Sequence, residues 1–246
     1  MGLAVLGVAG AACGRIAFDP LSSSDAGGPD GNGLAPAIAQ VVAPGYVGAA
    51  SQTIAIDQTA GNFLLVATYW NQNADTVAVS DTLGNAYQNR PVVKVPLVCG
   101  GGTGDSTVAQ LWYAPITTTG TNMVTVAQSV GVQPLGMMLL EYTGVALADP
   151  IAAGSELAAS MSSHTATAKP VVTTATTTIV AFFGDTIGNG AMGGGPGYTV
   201  EARDLGFPNM IEDLAGPAGT YTPTATLPGA SSDACWVASA VALRGR

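Results

Sequence analysis

Short extended runs separated by turn residues dominate the pattern of hydrophobic and polar positions from residue 35 onward. The runs are rich in Val, Thr and aromatic residues, and clusters of Gly, Pro, Asn or Asp bound them, as is typical of strands joined by turns. They are residues 62–70, 106–114, 122–128, 134–143, 178–184 and 235–243. Their spacing predicts an all-β fold, an antiparallel two-sheet β-sandwich of the jelly-roll type, rather than alternating strands and helices.

The alternation of side chains within a run indicates how deeply its strand is buried. In residues 62–70 (NFLLVATYW), Phe63 and Leu65 fall on one face and Leu64 on the other. Both faces are apolar, so we expect this strand at the centre of a sheet. A helical period is not sustained anywhere over about 12 residues. The closest approach is 151–161 (IAAGSELAASM), whose Ser- and Thr-rich surroundings predict a strand or a loop.

Composition narrows the class of protein and the class of partner. Of the 246 residues, 48% are hydrophobic and only 9% are charged, against about 25% charged in typical soluble domains. The hydrophobic content excludes a disordered chain. The net charge is −9 and the seven basic residues are scattered, which excludes a nucleic-acid partner, because binding a polyanion needs clustered Lys and Arg. No apolar run reaches the ~18 residues of a membrane-spanning helix.

The first 12 residues, MGLAVLGVAGAA, have the apolar character and the length of a signal-peptide core. The last three of these residues and the cysteine after them, Gly10-Ala11-Ala12-Cys13, resemble a bacterial lipobox. The resemblance implies that Cys13 is lipidated and becomes the first residue of the mature chain. An ordinary signal peptide with an incidental cysteine and a mature N-terminus are the alternatives.

The segment after this cysteine has the composition of a tether. Residues 22–33 (SSSDAGGPDGNG) cannot bury apolar area and are typical of a flexible linker. The predicted organisation is a signal peptide at 1–12, a flexible tether at 13–35 and a β-sandwich domain at 36–246. We expect an exported protein, lipid-anchored at the outer membrane or cell surface, with a secreted protein as the alternative.

Two further cysteines, Cys99 and Cys235, lie more than a hundred residues apart. In an exported protein we expect them to form a disulfide. Closing so long a loop would contribute on the order of 4 kcal/mol to stability. Two buried free thiols are the alternative, and no C-x-x-C motif indicates a zinc or redox site.

The order of the extended segments carries a resemblance to a known class of module. Its motifs are D-x-x-G-N-x-Y at Asp81, Gly84, Asn85 and Tyr87, and E-Y-x-G at Glu141, Tyr142 and Gly144. With these motifs, residues 36–246 resemble the jelly-roll or concanavalin-like β-sandwich modules of secreted and surface-anchored bacterial proteins. The resemblance implies surface display rather than a particular chemical activity.

One carboxylate is a candidate for catalysis. Glu141 falls on the apolar face of its predicted strand, where a carboxylate must be paired or raised in pKa. As a glycosidase acid it would need a second carboxylate opposite, such as Asp185 or Glu201. The alternative is a structural ion pair with Arg90 or Arg203, or a strand residue that faces solvent.

Other catalytic motifs are absent or incomplete. His164 is the one histidine that a Ser–His–acid triad could use. Residues 104–106 (GDS) resemble the nucleophile block of GDS-type hydrolases, but the Asp that those enzymes carry just before their His is missing from residues 161–164. Residues 188–193 match G-x-G-x-x-G, yet more Gly and Pro follow, so no helix can begin there to hold a pyrophosphate. We expect no cofactor.

Asp81 and Asn85 flank a predicted turn between two extended segments. An Asx side chain that caps this turn explains both residues. They are also weak candidates for a calcium site, which would need several more oxygen ligands nearby. We expect the turn and no metal.

One tryptophan stands beside a polar loop. Trp70 is followed by Asn71, Asn73 and Asp75. Sugar-binding sandwiches place an aromatic face next to such donors and acceptors, so these four residues are the candidate ligand site. Packing of Trp70 in the core or at its rim is the alternative.

Taken together, these features predict a non-catalytic, surface-displayed bacterial lipoprotein module for adhesion or glycan recognition. Its partners would be the membrane, through the lipid on Cys13, and an extracellular glycan or surface protein. One alternative is a glycan hydrolase or lyase that uses Glu141 and a second carboxylate. The other is a passive structural surface protein.

Overall fold

The computed structural model describes residues 33–71, 76–95, 107–130, 134–160, 163–185, 191–204, 206, 208–227 and 235–246, with the main chain alone for residues 71 and 157–160. These residues form 19 strands and no helix. Every pair of adjacent strands in the described part is antiparallel. The prediction of an all-β, antiparallel β-sandwich is confirmed. No helix in these ranges is long and apolar enough to cross a bilayer.

Residues 33–145, the first half, form two facing sheets. The strands are β1 (Ala37–Val42), β2 (Tyr46–Gly48), β3 (Ser51–Gln58), β4 (Phe63–Asn71), β5 (Val77–Asp81), β6 (Gln88–Asn89), β7 (Val93–Lys94), β8 (Thr107–Pro115), β9 (Gly120–Gln128) and β10 (Pro134–Thr143). Sheet I has the order β1-β10-β4-β8-β6, with β2 beside β10 and β7 beside β8. Sheet II has the order β3-β9-β5. First-with-last pairing of this kind is a jelly-roll arrangement.

Residues 146–246, the second half, are built in the same way. The strands are β11 (Ile151–Ser160), β12 (Thr165–Thr167), β13 (Val171–Thr173), β14 (Thr177–Asp185), β15 (Thr199–Asp204), β16 (Asn209–Gly216), β17 (Gly219–Tyr221), β18 (Thr224–Thr226) and β19 (Cys235–Arg244). Sheet III has the order β11-β19-β14-β16-β15. Two short pairs, β12-β18 and β13-β17, form the outer layer.

The layers stack in the order sheet II, sheet I, sheet III and outer strand pairs, with an apolar core in each of the three gaps. Phe63 and Tyr142 of sheet I meet Phe182 and Val241 of sheet III in the inner core. The opposite face of sheet I packs on sheet II, and the opposite face of sheet III packs on the short pairs. Both large sheets are therefore buried on both faces, which explains why their strands are apolar on both sides.

The two halves are a structural duplication. The order β1-β10-β4-β8-β6 of sheet I repeats as β11-β19-β14-β16-β15 in sheet III. Even the irregularities repeat, because the pairing of β1 with β10 shifts register between Ile38 and Gln40, and that of β11 with β19 shifts between Ile151 and Ala153. The range 36–246 therefore holds two jelly-roll sandwiches that share one inner core.

All six predicted runs correspond to strands, and their ends agree within two residues. β4 lies between β10 and β8, as its two apolar faces predict. Residues 151–160 form β11, so reading this segment as non-helical is correct. The two-sheet description is refined, because the same sequence range holds four layers.

Candidate functional site

A groove opens where the two halves meet along one edge. The edge of sheet I that contains β6 and β8 lies beside the start of β11 in sheet III, and the two together enclose a volume of about 410 Å³. This volume lies within the roughly 300–1,000 Å³ range of small-molecule sites. The groove residues are Gln88, Arg90, Tyr113, Pro115 and the continuous segment from Leu147 to Gly154. We call this the seam groove.

Arg90 is fixed at one end of the seam groove by an ion pair across the two halves. Its Nε donates to Glu156 Oε1 at 2.9 Å, and its Nη2 lies 2.8 Å from the same oxygen. The guanidinium lies flat against Gly154, where an added Cβ would come within 2.6 Å of Nη2. The absence of a side chain at Gly154 therefore allows Arg90 to take this position.

Tyr113 and Gln88 form the side of the seam groove that belongs to sheet I. The two residues are directly paired across β8 and β6. Tyr113 stacks on Phe63, with ring centroids 5.8 Å apart, and its hydroxyl donates to Gln88 Oε1 at 3.0 Å. The stacking fixes the ring, and the hydrogen bond orients the exposed amide of Gln88.

The opposite side of the seam groove is mostly apolar and comes from the segment before β11. It presents Leu147, Pro150 and Ile151. Asp149 lies at the outer end of this side, where its Oδ2 is 2.9 Å from Arg244 Nη2. The polar side chains of the seam groove thus come mainly from the first half, and its apolar side chains come mainly from the second.

The duplication supplies an internal comparison for the polar residues of the groove. The β15 edge of sheet III lies beside β1, just as the β6 and β7 edge of sheet I lies beside β11. Equivalent residues follow from the pairing of β6 with β8 and of β15 with β16. They are Gln88 and Thr199, and Tyr113 and Asp213. Arg90 and Glu201 each come two residues later, but no pairing equates them, because Glu201 lies at the register shift of β15. The fold therefore accepts quite different side chains at these positions, so packing alone does not explain the set in the seam groove.

The second seam holds a carboxyl pair instead of the arginine and tyrosine. Glu201 and Asp213 lie within side-chain hydrogen-bond reach of each other. Burial and the neighbouring Asp213 charge raise the pKa of Glu201 to about 7. Burial also raises the pKa of Asp213. Tyr142 of the first half donates to Asp213 Oδ2 at 3.2 Å, which ties this seam together.

Glu141 is a structural carboxylate, which corrects its assignment as a candidate catalytic acid. Its side chain is 1% exposed. Oε1 accepts from the Thr59 main-chain N–H at 3.0 Å and from Asn62 Nδ2 at 2.5 Å, and Oε2 accepts from Gln40 Nε2. Both oxygens are used to anchor β1 and the turn before β4, so neither is available to a substrate.

The carboxylates and arginines suggested as partners of Glu141 lie elsewhere. Strand alternation places Glu141 on the outer face of sheet I and Asp185 on the outer face of sheet III, with both sheets between them. Glu201 lies in the second seam with Asp213. Arg90 pairs across the seam groove, and Arg203 donates to a main-chain carbonyl.

Asp81 organises a turn, as expected from its Asx character. Oδ1 accepts from the main-chain N–H groups of residues 83–85, at 2.7 to 3.1 Å. Oδ2 accepts from Asn85 Nδ2, Tyr87 Oη and Asn122 Nδ2, at 2.7 to 2.9 Å. Burial opposes its ionisation, yet these hydrogen bonds hold the pKa of Asp81 below its usual value. Six hydrogen-bond donors surround the Asp81 carboxylate. Donors stabilise its negative charge, whereas a calcium ion would need oxygen ligands in their place.

The position of Trp70 contradicts its prediction as a ligand-binding residue. The side chain is 3% exposed and packs between sheets I and II with Leu135 and Val126. Its indole therefore offers no exposed face to a sugar. Of its proposed neighbours, Asn73 and Asp75 lie outside the described residues, and Asn71 is described by its main chain alone.

The remaining sequence candidates are only partly described. Cys13, Cys99 and residues 104–106 lie outside the described ranges, as do residues 188–190 of the glycine-rich match. His164 is exposed, and its carbonyl accepts from the Leu227 main-chain N–H. Within the described part of the chain, no group of three or more His, Cys, Asp or Glu side chains could hold a metal ion.

The seam groove was missed by sequence reasoning because its two sides are about 60 residues apart in the chain. The groove could have been predicted only from knowing that the segment ALADPIAAG and the Arg-containing turn YQNRP lie side by side. No signal in either segment alone identifies the other. No protein-family model matches the chain, and neither a curated protein nor a solved structure matches it significantly.

Proposed function

We propose that this protein is a non-catalytic recognition module, displayed on the bacterial surface by a lipid on Cys13, and that the seam groove holds its ligand. The ligand would be an extracellular glycan or a surface protein. The lipobox-like segment and the tether support the display, and the resemblance to surface-anchored β-sandwich modules agrees with it.

One observation carries the assignment of the groove. Arg90, Tyr113 and Gln88 converge on a cavity of about 410 Å³, whereas the positions of the other half that are equivalent to Tyr113 and Gln88 hold Asp213 and Thr199. A polar set that the fold does not demand, placed around a cavity of ligand size, is typical of a binding site. Catalysis through Glu141 has no such support, because its oxygens are occupied.

Filling the groove tests this function. Ala148 is an exposed groove residue in the segment before β11, so Ala148→Trp would occupy the cavity without disturbing a core. Ala78→Trp on the exposed face of β5 is the matched control. The full chain and both variants would be screened against a glycan array and against bacterial surface proteins. We expect saturable binding that only Ala148→Trp abolishes. Equal binding by both variants would overturn the groove as the ligand site, and no binding to any probe would leave a passive structural role.

A further inference from the structure

We propose that the seam groove recognises an uncharged sugar, a pyranose unit of a neutral glycan. This inference rests on the proposed function, in which the seam groove is the ligand site. Three features of the groove support it: two unlike sides, a balance of charges, and a mixture of hydrogen-bond donors and acceptors.

The two sides of the groove match the two kinds of surface on a sugar ring. Leu147, Pro150 and Ile151 form an apolar side, and Pro115 closes it from β8. The polar side opposite begins with Arg90. A pyranose presents a patch of C–H groups on one face and hydroxyls around its rim, so it can satisfy both sides at once. A wholly apolar ligand would leave the polar side desolvated without partners, at a cost in affinity.

The charges around the groove cancel. Arg90 pairs with Glu156 at 2.8 Å, and Arg244 pairs with Asp149 at 2.9 Å, so two cations face two anions. Neither guanidinium is left to attract an anionic group, and the chain as a whole carries −9. Electrostatic attraction therefore does not favour uronic acids, phosphorylated sugars or acidic peptides over an uncharged ligand.

The polar groups also suit hydroxyls, which both donate and accept. Both contacts of Arg90 to Glu156 end on one oxygen, Oε1, which leaves its Nη1 without a partner among the described residues. Gln88 accepts from Tyr113 through Oε1, so its amide N–H groups remain for a ligand oxygen. Asp149 supplies an acceptor at the other end of the groove. The Nη1 group of Arg90 and the amide of Gln88 supply donors, and an acceptor lies nearby, which fits a pair of neighbouring hydroxyls.

Ligand chemistry and salt dependence test the inference. The full chain would be titrated calorimetrically with matched neutral and acidic oligosaccharides and with extended peptides, at low and high NaCl. We expect a neutral glycan to bind, with an affinity that changes less than twofold with salt. Ala148→Trp should abolish that binding. Arg90→Lys, which keeps the charge and removes the planar fork, should weaken it at least tenfold. Ala78→Trp should leave it unchanged.

The outcomes separate this inference from the function on which it rests. An acidic glycan or a peptide that binds, loses affinity in salt and is blocked by Ala148→Trp would overturn the neutral-sugar inference and keep the groove as the ligand site. A ligand of any class that binds Ala148→Trp as tightly as the unchanged chain would overturn the groove itself, and so would the absence of binding to every probe. Equal melting temperatures of the variants establish that the losses come from the groove.

Discussion

The stability of the second half should depend on pH through Glu212, a carboxyl group in the interior. Its side chain is fully buried under the glycine-rich segment before β15. Oε2 accepts from the Gly195 main-chain N–H at 2.8 Å, and Oε1 has no hydrogen-bond partner. Burial raises the pKa of Glu212 to about 7, and the charge of Asp213 adds to the effect. The variant Glu212→Gln keeps the shape and removes the titration.

The sign and size of the effect follow from the two pKa values. The folded protein keeps this proton up to about pH 7, whereas the unfolded chain releases it near the ordinary glutamate pKa of 4.5. Folding is therefore favoured at low pH, and that stability is lost as the pH rises through the folded pKa. One pKa unit corresponds to about 1.4 kcal/mol. Between pH 5 and pH 8 the group therefore costs the folded state about 2.5 kcal/mol, as an upper estimate.

Urea unfolding of the two proteins at pH 5 and pH 8 measures this contribution. We expect the free energy of unfolding of the unchanged chain to fall between these pH values, and that of Glu212→Gln to fall by about 2.5 kcal/mol less. Glu201 also has a raised pKa and acts in the same direction, but it is present in both proteins and largely cancels. Asp57→Asn, on the exposed side of β3, controls for the loss of one negative charge. Parallel curves for the unchanged chain and Glu212→Gln would refute the reasoning.

Three further predictions concern the first half and the cysteines. Asp81→Ala removes six hydrogen bonds, among them one from the fully buried Asn122, whose Nδ2 then keeps only its bond to Gln58, so urea unfolding should show a loss of at least about 3 kcal/mol; a loss under 1 kcal/mol would contradict this. Cys235 is buried and packs near the end of β7, a few residues before Cys99 in the chain, so peptide mapping without reduction should recover a Cys99–Cys235 peptide; free Cys99 would refute the pairing. Mass spectrometry of the membrane fraction should find a diacylglyceryl-modified Cys13 at the N-terminus, and Cys13→Ser should release the protein from the membrane; an unmodified residue upstream of Cys13 would exclude the anchor.

The strands of the core were predictable because local physics determines them. Residues 62–70 and 134–143 are apolar on both faces, which only a strand covered on both sides explains. The Asp81 turn was predictable for the same reason, since five of the six donors to the carboxylate lie within six residues of it.

The duplication and the groove were not predictable from the single sequence. The two halves share backbone pairings rather than residues, so Tyr113 stands where the other half has Asp213. Trp70 was predicted to bind a ligand because a polar loop follows it, but a further layer, sheet II, covers it. The role of Glu141 depends on Gln40, a hundred positions earlier, which only the pairing of β1 with β10 brings near.

Each large sheet is completed when the first strand of its half pairs with the last. This pairing determines the order in which the molecule can fold. β1 pairs with β10, and β11 with β19, so each large sheet stays open until its final strand has been made. The inner face of sheet I, with Phe63 and Leu140, is then covered only by sheet III. A chain delivered from its N-terminus must therefore carry this apolar face uncovered until β19 is in place. We expect folding to be slow, because its contacts are so far apart in sequence, and to depend on protection from aggregation in that interval.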